Sequence, residues 1–125
     1  MLRTMSNAKQ WEDELNQMIL TGRGFPEGFE KFYADDVVMV EGTGDEFKGK
    51  DFNRTRETEF MGSIAEFHGA TLVASAAGDD VGFSEWQFDF TFKNGIRATM
   101  EQIARRRWKD GKVVHERFYY NAPKH

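Results

Sequence analysis

Three polar side chains interrupt an otherwise apolar strand face in the last third of the chain, and they are the first candidates for chemistry. Gln102, Arg106 and Glu116 alternate with aromatic and aliphatic residues in the segments IRATMEQIARRRW and KVVHERFYY. Burying an amide or a carboxylate among aromatic rings is unfavourable unless the group is paired or faces a cavity. A carboxyl group such as Glu116 against an aromatic wall would have a raised pKa, as proton transfer near neutral pH requires.

Two interpretations of each charged candidate stay open. Glu116 is either a general acid or base, or half of a buried ion pair with Arg106 that braces the strands. Glu41 ends a short β-branched segment beside a glycine-rich loop, and it is either catalytic or a solvated carboxylate at a strand end. Arg56 interrupts an apolar helical stripe, so it either contacts an anionic substrate or pairs with Glu41 or Glu116.

Aromatic and phenolic side chains on the same faces are the remaining candidates for ligand contact. The hydroxyl groups of Tyr33 and Tyr120 can donate hydrogen bonds to a substrate carbonyl, or they can sit at the rim of a core. The apolar candidates belong to a core first and line a ligand cavity second. They are Trp86, Phe88, Met100 and Phe118.

Three antiparallel strands predicted over residues 81–120 position these side chains. Two connections of the form Lys-x-Gly, at 93–95 and 109–111, join the strands. Each connection suits either a two-residue turn or a three-residue loop with glycine in the left-handed conformation. The choice matters because a shift of one residue moves every side chain to the other face of the sheet.

The three-residue loop gathers the aromatic residues on one face, and it is the register that we predict. The two-residue turn would instead place Arg97, Glu101 and Arg105 among the aromatic rings. In the predicted register Trp86 and Gln102 point inward together with Glu116. The predicted cross-strand pairs are Phe92 with Ile96, Phe90 with Ala98, Trp108 with Lys112 and Ala104 with Glu116.

The upstream elements complete an α+β fold. The patterns predict one helix capped by Ser6 or Asn7 and running to Thr21, a shorter one opening at Pro26, and a third over residues 50–67 that His68 would terminate. The shorter helix stops near residues 34–36, and strands follow at 37–41 and 70–77. Three helices packed on the concave face of a curved antiparallel sheet would bury these patterns.

Composition excludes several classes of protein. The 125 residues predict a single domain, 1–125, with a core of about residues 7–121. There is no cysteine, and the three histidines lack the spacing of a metal site, so we expect no metal and no cofactor. A net charge of −4 argues against nucleic-acid binding. Without a signal peptide or membrane-spanning run in the sequence, we expect a cytoplasmic protein that does not bind membranes.

The order of these segments resembles the SnoaL-like branch of the nuclear transport factor 2-like, cystatin-like superfamily. A helix ends in FYADD, the strand VVMVEG follows, a helix begins GKDF, and four strands end in GKVVHERFYYN. The resemblance spans residues 11–121 or so. It implies a cone-shaped sheet that encloses a pocket beneath the helices, and a homodimer through the outer sheet face. Members include ketosteroid isomerase, polyketide cyclases, limonene-epoxide hydrolase, dehydratases and non-catalytic binders, so the fold does not choose the function.

The resemblance carries over unevenly to individual residues. ADDVVMVEG lines up with the isomerase segment that ends in its general base, which implies that role for Glu41. The isomerase's two oxyanion donors correspond to Gln17 and Ala104, which cannot replace them, so steroid isomerisation is rejected. Glu116 is the nearest equivalent of the acid that related cyclases place on the final strands, while Asn121 stands where many relatives have aspartate.

Two functions are consistent with these residues. In the first, the protein binds an apolar or aromatic small molecule through Glu41, Gln102 and Glu116. Any chemistry would then be acid–base chemistry of the isomerase, cyclase, dehydratase or hydrolase type. In the second, it is a non-catalytic dimeric module whose outer sheet meets a partner. The residues of that outer surface are Arg105, Arg107, Arg117 and Tyr119.

Overall fold

The computed structural model describes residues 7–120, which form three α-helices and one six-stranded sheet. The helices are α1 (Ala8–Leu20), α2 (Phe29–Phe32, preceded by an irregular helical turn, Gly24–Gly28) and α3 (Lys50–Gly62). The strands are β1 (Tyr33–Val40), β2 (Glu46–Lys48), β3 (Ile64–Ala77), β4 (Val81–Phe92), β5 (Arg97–Lys109) and β6 (Lys112–Tyr120). None of the helices in this range is long and apolar enough to cross a membrane.

The predicted α+β fold is confirmed, and the sheet is mixed rather than purely antiparallel. Its strand order is β2-β1-β6-β5-β4-β3, and the sheet is curved without closing on itself. Every neighbouring pair is antiparallel except β1 and β6, which run parallel. This parallel pair places Met39 beside Glu116.

The first predicted hairpin is confirmed. The Phe92 amide donates to the Ile96 carbonyl over 2.8 Å, and Phe90 lies opposite Ala98. Gly95 has a φ of 87°, the left-handed conformation that a three-residue loop requires at this position. Four aromatic residues of β4 therefore share one face, as the sequence predicts: Trp86, Phe88, Phe90 and Phe92.

The second hairpin has a two-residue turn, so the predicted pairing of Trp108 with Lys112 is wrong. Lys109 pairs with Lys112 instead, and the turn residues Asp110 and Gly111 have φ values of 51° and 78°. Positive φ at both central residues is typical of a type I′ turn, whose twist matches that of the two strands.

A β-bulge beyond that turn restores the predicted facing of the side chains in β6. The strand pairing skips Val114, so Glu116 lies opposite Arg106, and the predicted pairing of Glu116 with Ala104 is wrong. The extra residue moves the pairing by one more position in the same direction, which returns Glu116 to the predicted face. Glu116 therefore still points inward, where it is 1% exposed.

The third helix is shorter than predicted. It ends at Gly62 rather than Phe67, and β3 begins at Ile64. Strand pairing with β4 overrides the helical spacing of the apolar residues here, because it satisfies the backbone of the whole segment. His68 consequently lies within β3, with a ring nitrogen 2.8 Å from the Thr91 hydroxyl, so its predicted place at a helix end is wrong.

The other elements differ from expectation mainly at their ends. The first helix stops one residue short of the predicted Thr21, whereas α2 ends at Phe32 and β1 begins at Tyr33, four residues early. The short strand β2 was not predicted, because its residues follow a glycine-rich loop. Ser6, Asn121 and His125 lie outside the described residues, so predictions about Ser6 and Asn121 stay predictions.

A hydrophobic core fills one end of the concave face, where α1 and α2 pack on β1, β5 and β6. The Trp108 ring is central to it, with an edge contact to Phe32 at 5.6 Å and a tilted contact to Trp11 at 5.9 Å between ring centroids. Its buried members are Ala8, Leu15, Phe29, Phe32, Tyr33, Val37, Met39, Trp108 and Val113. The other end of the concave face is left to α3.

Candidate functional site

A buried ion cluster lies where α1 meets the concave face. The Arg106 guanidinium donates from Nη1 to Glu12 and from Nε to Glu116, each over 2.7 Å. All three side chains are at most 2% exposed. Glu116 is therefore half of the ion pair with Arg106, and Glu12 is a second partner that the sequence reading missed. Burial nevertheless raises the pKa of Glu116, and the nearby Glu12 charge adds to this, although Arg106 and the Tyr33 hydroxyl lower it.

Hydrogen bonds from uncharged side chains complete this assembly, which we call the Arg106 cluster. The Tyr33 hydroxyl donates to Glu116 over 2.6 Å, and the Trp108 indole donates to Glu12 over 2.8 Å. Burial, followed by the Glu116 charge, raises the pKa of Tyr33, so this hydroxyl stays protonated. The members are Glu12, Asn16, Tyr33, Ser84, Arg106, Trp108 and Glu116.

Local sequence explains why this cluster forms. Glu12 and Asn16 follow Ala8 at intervals of four, so they share the buried face of α1 with Leu15. Gly82 on β4 makes room for them, since a methyl group there would collide with the Glu12 carboxylate. This spacing of four residues is the sequence pattern that could have predicted the buried position of Glu12 and Asn16.

A second polar group lies where β1 ends. Glu41 accepts from Arg56 over 2.8 Å and from the Tyr120 hydroxyl over 3.2 Å, so both of its oxygens are engaged. Burial, together with Glu41, raises the pKa of Tyr120. Arg56 also donates to Asn53 over 2.9 Å and stacks on Phe47, 3.5 Å from its ring centroid. Pairing with Glu41 was one of the alternatives predicted for Arg56.

Glu57, on α3, is a carboxyl group beside Glu41 and Glu116 that has no partner. Within residues 7–120 its carboxyl group makes no hydrogen bond and no ion pair. Burial raises its pKa to about 7, helped by the charges of Glu116 and Glu41, whereas Arg56 lowers it. The side chain keeps part of its surface open to solvent while protein surrounds the rest of it. At neutral pH this group therefore exists in both protonation states.

Glu57 was not among the residues predicted for the site. The prediction named its neighbour Arg56, which interrupts the apolar stripe. Glu57 follows the fully buried Asn53 by four residues and precedes Phe60 by three. That spacing places all three side chains on one face of α3. It is the sequence pattern that could have identified Glu57.

The sheet opposite α3 is open in part to solvent. Trp86 is fully buried and stacks on Phe88, with ring centroids 5.4 Å apart and planes 11° apart. Further along the same face, side chains are only half-buried. They are Phe88, Met100, Gln102, Phe118 and Tyr120. In the described part of the chain, Trp86 Nε1 and Glu116 Oε1 are buried without hydrogen-bond partners.

These side chains define the concave site, which consists of Glu41, Arg56, Glu57, Phe88, Met100, Gln102, Glu116, Phe118 and Tyr120. Two surface depressions of about 480 and 300 Å³ are also present, and Phe88 is the one residue of the concave site that lines either of them. The larger is lined by charged residues of α1 and the turn after it, and the smaller involves β3, β4 and β5. The concave site is the better candidate, because it contains the carboxyl groups of Glu41, Glu57 and Glu116 and neither depression includes them.

Comparison with known families identifies this architecture. Residues 7–120 match the family described as SnoaL-like domain. The chain belongs to the SnoaL-like family. Its predicted resemblance to that family is therefore confirmed. A search of curated proteins finds no match.

Solved structures of SnoaL-like and NTF2-like proteins share the fold. A proposed SnoaL-like polyketide cyclase from Mesorhizobium loti is 26% identical, with a TM-score of 0.81 over 90% of this chain and 97% of that one. An NTF2-like protein from Anabaena variabilis is 13% identical, with a TM-score of 0.78 over 98% and 95%. A proposed SnoaL-like polyketide cyclase from Jannaschia sp. CCS1 is 8% identical, with a TM-score of 0.78 over 96% and 92%. At such low identity the last two show the fold alone.

The residues predicted for the site of this SnoaL-like protein fall into three places. Glu116, Arg106 and Tyr33 belong to the Arg106 cluster, whereas Glu41, Arg56 and Tyr120 lie together at the end of β1. The predicted ligand contacts of β4, β5 and β6 share the concave face. They are Trp86, Phe88, Met100, Gln102 and Phe118. Glu41 and Glu116, the two predicted catalytic carboxylates, have partners. Glu57, which has none among residues 7–120, was not predicted.

Proposed function

We propose that this SnoaL-like protein binds an apolar or aromatic small molecule at the concave site and transfers a proton beside its carbonyl group, with Glu57 as the acid–base group. The observation that carries the proposal is the unequal pairing of three neighbouring carboxyl groups. Glu41 is held by Arg56 and Tyr120, and Glu116 is held by Arg106 and Tyr33. Of the three, Glu57 is the one whose two carboxyl oxygens both lack a partner among residues 7–120.

The electrostatics of the site suit this role. A general base works best when its pKa lies near the operating pH, and burial beside Glu116 and Glu41 brings the pKa of Glu57 to about 7. In the proposed step the C–H proton moves to the Glu57 carboxylate, and the bonding electron pair becomes an enolate. Gln102 is half-buried on the facing strand, and its amide can donate to the enolate oxygen. Glu41 and Glu116 are positioning residues that set the pKa of Glu57.

The walls suit a ring-containing ligand. Phe88, Met100 and Phe118 present half-buried aromatic and thioether surface beside the polar groups. An apolar wall with a few convergent polar groups is the usual composition of a small-molecule site. One structural relative, 26% identical, is a proposed polyketide cyclase, and closing a ring on a polycarbonyl chain begins with loss of a proton beside a carbonyl.

The test uses 2-tetralone, an aromatic ketone with exchangeable hydrogens beside its carbonyl. In D₂O buffered near pH 7, the protein should accelerate the loss of those hydrogen signals in proton NMR spectra. Glu59→Gln is the matched control, because Glu59 lies exposed on the same helix. Ligand binding without accelerated exchange would contradict the catalytic proposal and support a non-catalytic binder.

We also propose that a second copy of the chain covers the convex face. Phe83, Ile103 and Tyr119 are exposed there by 40–44%. Arg105 and Arg117 lie directly opposite each other on one side of Ile103, while Glu101 lies exposed on the other side. A two-fold axis through Ile103 would set each basic side against the partner's acidic side, which is a self-complementary arrangement. The cytoplasmic location stays a prediction from the sequence.

Sedimentation at micromolar concentration tests this dimer. We expect a dimer for the natural chain and a monomer for Ile103→Asp, because the added carboxylate would be buried in the apolar centre of the interface. Val73→Asp is the control, since Val73 is similarly exposed but lies on the edge strand β3. A monomeric natural chain, or a dimer that survives Ile103→Asp, would contradict the proposed interface.

A further inference from the structure

We infer that the concave site selects a positively charged ligand, an apolar ring system carrying a protonated amine, and rejects carboxylates. The inference rests on the proposed binding site but not on catalysis. It follows from the charges that surround the site on every element packed around it. Two guanidinium groups stand against four carboxyl groups there. The cations are Arg56 and Arg106, and the carboxyl groups are those of Glu12, Glu41, Glu57 and Glu116.

Neither cation is available to an incoming anion. Arg106 is 2% exposed and already donates to two carboxylates and to Asn16. Arg56 is held by Glu41 and Asn53 and stacks on the Phe47 ring. A ligand carboxylate would therefore be desolvated beside acidic groups without gaining an ion pair, which is unfavourable.

A cation meets the opposite situation. Its N–H groups can donate to the Glu57 carboxylate, which has no other partner among residues 7–120. Aromatic faces attract cations through the negative charge of their π systems, and Phe88 offers a half-buried ring on the facing sheet. The protonated amine thus offsets one of the two surplus carboxyl groups.

This charge pairing has a second consequence. A cation next to Glu57 favours its ionised form, so a bound amine lowers the pKa of the group. Because the pKa of Glu57 without ligand is about 7, binding near pH 6.5 should release protons into solution. A neutral ligand of the same shape should release none.

The experiment compares three probes of nearly equal shape, 2-naphthylmethylamine, 2-naphthylmethanol and 2-naphthoate, by isothermal titration at pH 8. We expect the amine to bind about tenfold more tightly than the alcohol, and the carboxylate about tenfold more weakly than the alcohol. Glu57→Gln should remove the preference for the amine over the alcohol. Glu59→Gln should keep the whole order. Separate titrations at pH 6.5, in two buffers of different ionisation heat, measure the protons released.

Carboxylate binding as tight as amine binding would overturn the inference, as would an amine preference that survives Glu57→Gln. Failure of the natural protein to bind any of the probes would also overturn it. The order of the three probes on the natural protein decides the matter even if a variant folds poorly. An amine preference without exchange of 2-tetralone hydrogens would leave this inference standing and contradict only the proposed catalysis.

Discussion

Replacing Arg106 with methionine should lower the free energy of unfolding by about 3–5 kcal/mol at pH 7, the usual loss when one partner of a buried ion pair is removed. The side chain is 2% exposed, and its loss leaves the Glu12 and Glu116 carboxylates buried without their cation. Both lie in the protein interior, where an unpaired carboxylate is strongly disfavoured. Urea denaturation of the variant and the natural chain measures the difference.

The neighbouring residue provides a control for this prediction. Arg107→Met removes the same charge from an exposed side chain that makes no salt bridge among the described residues, so stability should change by less than about 0.5 kcal/mol. The deficit of Arg106→Met should shrink towards pH 5, because the stranded carboxyl groups bind protons in the folded state. A loss below about 1 kcal/mol would show that the cluster does not brace the fold.

Glu57→Gln should slow the exchange of 2-tetralone hydrogens by at least about 100-fold, since general acid–base groups contribute on the order of 10² to 10⁴ to rates. The amide has the shape of the carboxyl group but cannot accept the proton. In the natural protein the rate should rise with pH through about 7, as Glu57 ionises. Exchange in the variant at the natural rate, or a profile that rises only near pH 4, would contradict the assignment.

The same substitution should stabilise the fold at alkaline pH. The pKa of folded Glu57 is about 7, above its ordinary value of 4.5, so the folded state disfavours the ionised form. Natural stability therefore falls as pH rises from about 4.5 to 7, and glutamine avoids that loss. A shift of this size corresponds to roughly 3 kcal/mol, which we discount to about 1–2 kcal/mol because part of the side chain is open to solvent. Below pH 4.5 the two proteins should be equally stable.

The local patterns of the sequence were sufficient to predict the fold. Alternation of aromatic residues along β4, and the left-handed glycine at Gly95, determine the first hairpin and the face that Trp86 occupies. The second hairpin was harder to predict, because it has two features that the sequence pattern did not reveal. Its turn is one residue shorter than predicted, and a bulge at Val114 restores the direction of Glu116. A bulge depends on how neighbouring strands fit, and alternation along one strand does not reveal it.

The candidate site was harder to predict because its members become special only through distant partners. Glu41 and Glu116 stand out in the sequence, but in the folded protein they form ion pairs with Arg56 and Arg106. Glu57 looks like an ordinary helical glutamate, and its raised pKa comes from burial and from charges on β1 and β6. Which carboxyl group lacks a partner is a property of tertiary structure.

The most direct test of the central claim is the titration of the glutamate side chains by carbon NMR, with ¹³C at the carboxyl position. We predict that one glutamate resonance titrates near pH 7 and that this resonance is missing from Glu57→Gln but present in Glu59→Gln. Ordinary glutamates titrate at about 4.3. If no resonance titrates near pH 7, or if the resonance that does so persists in Glu57→Gln, Glu57 is not the poised carboxyl group of this protein.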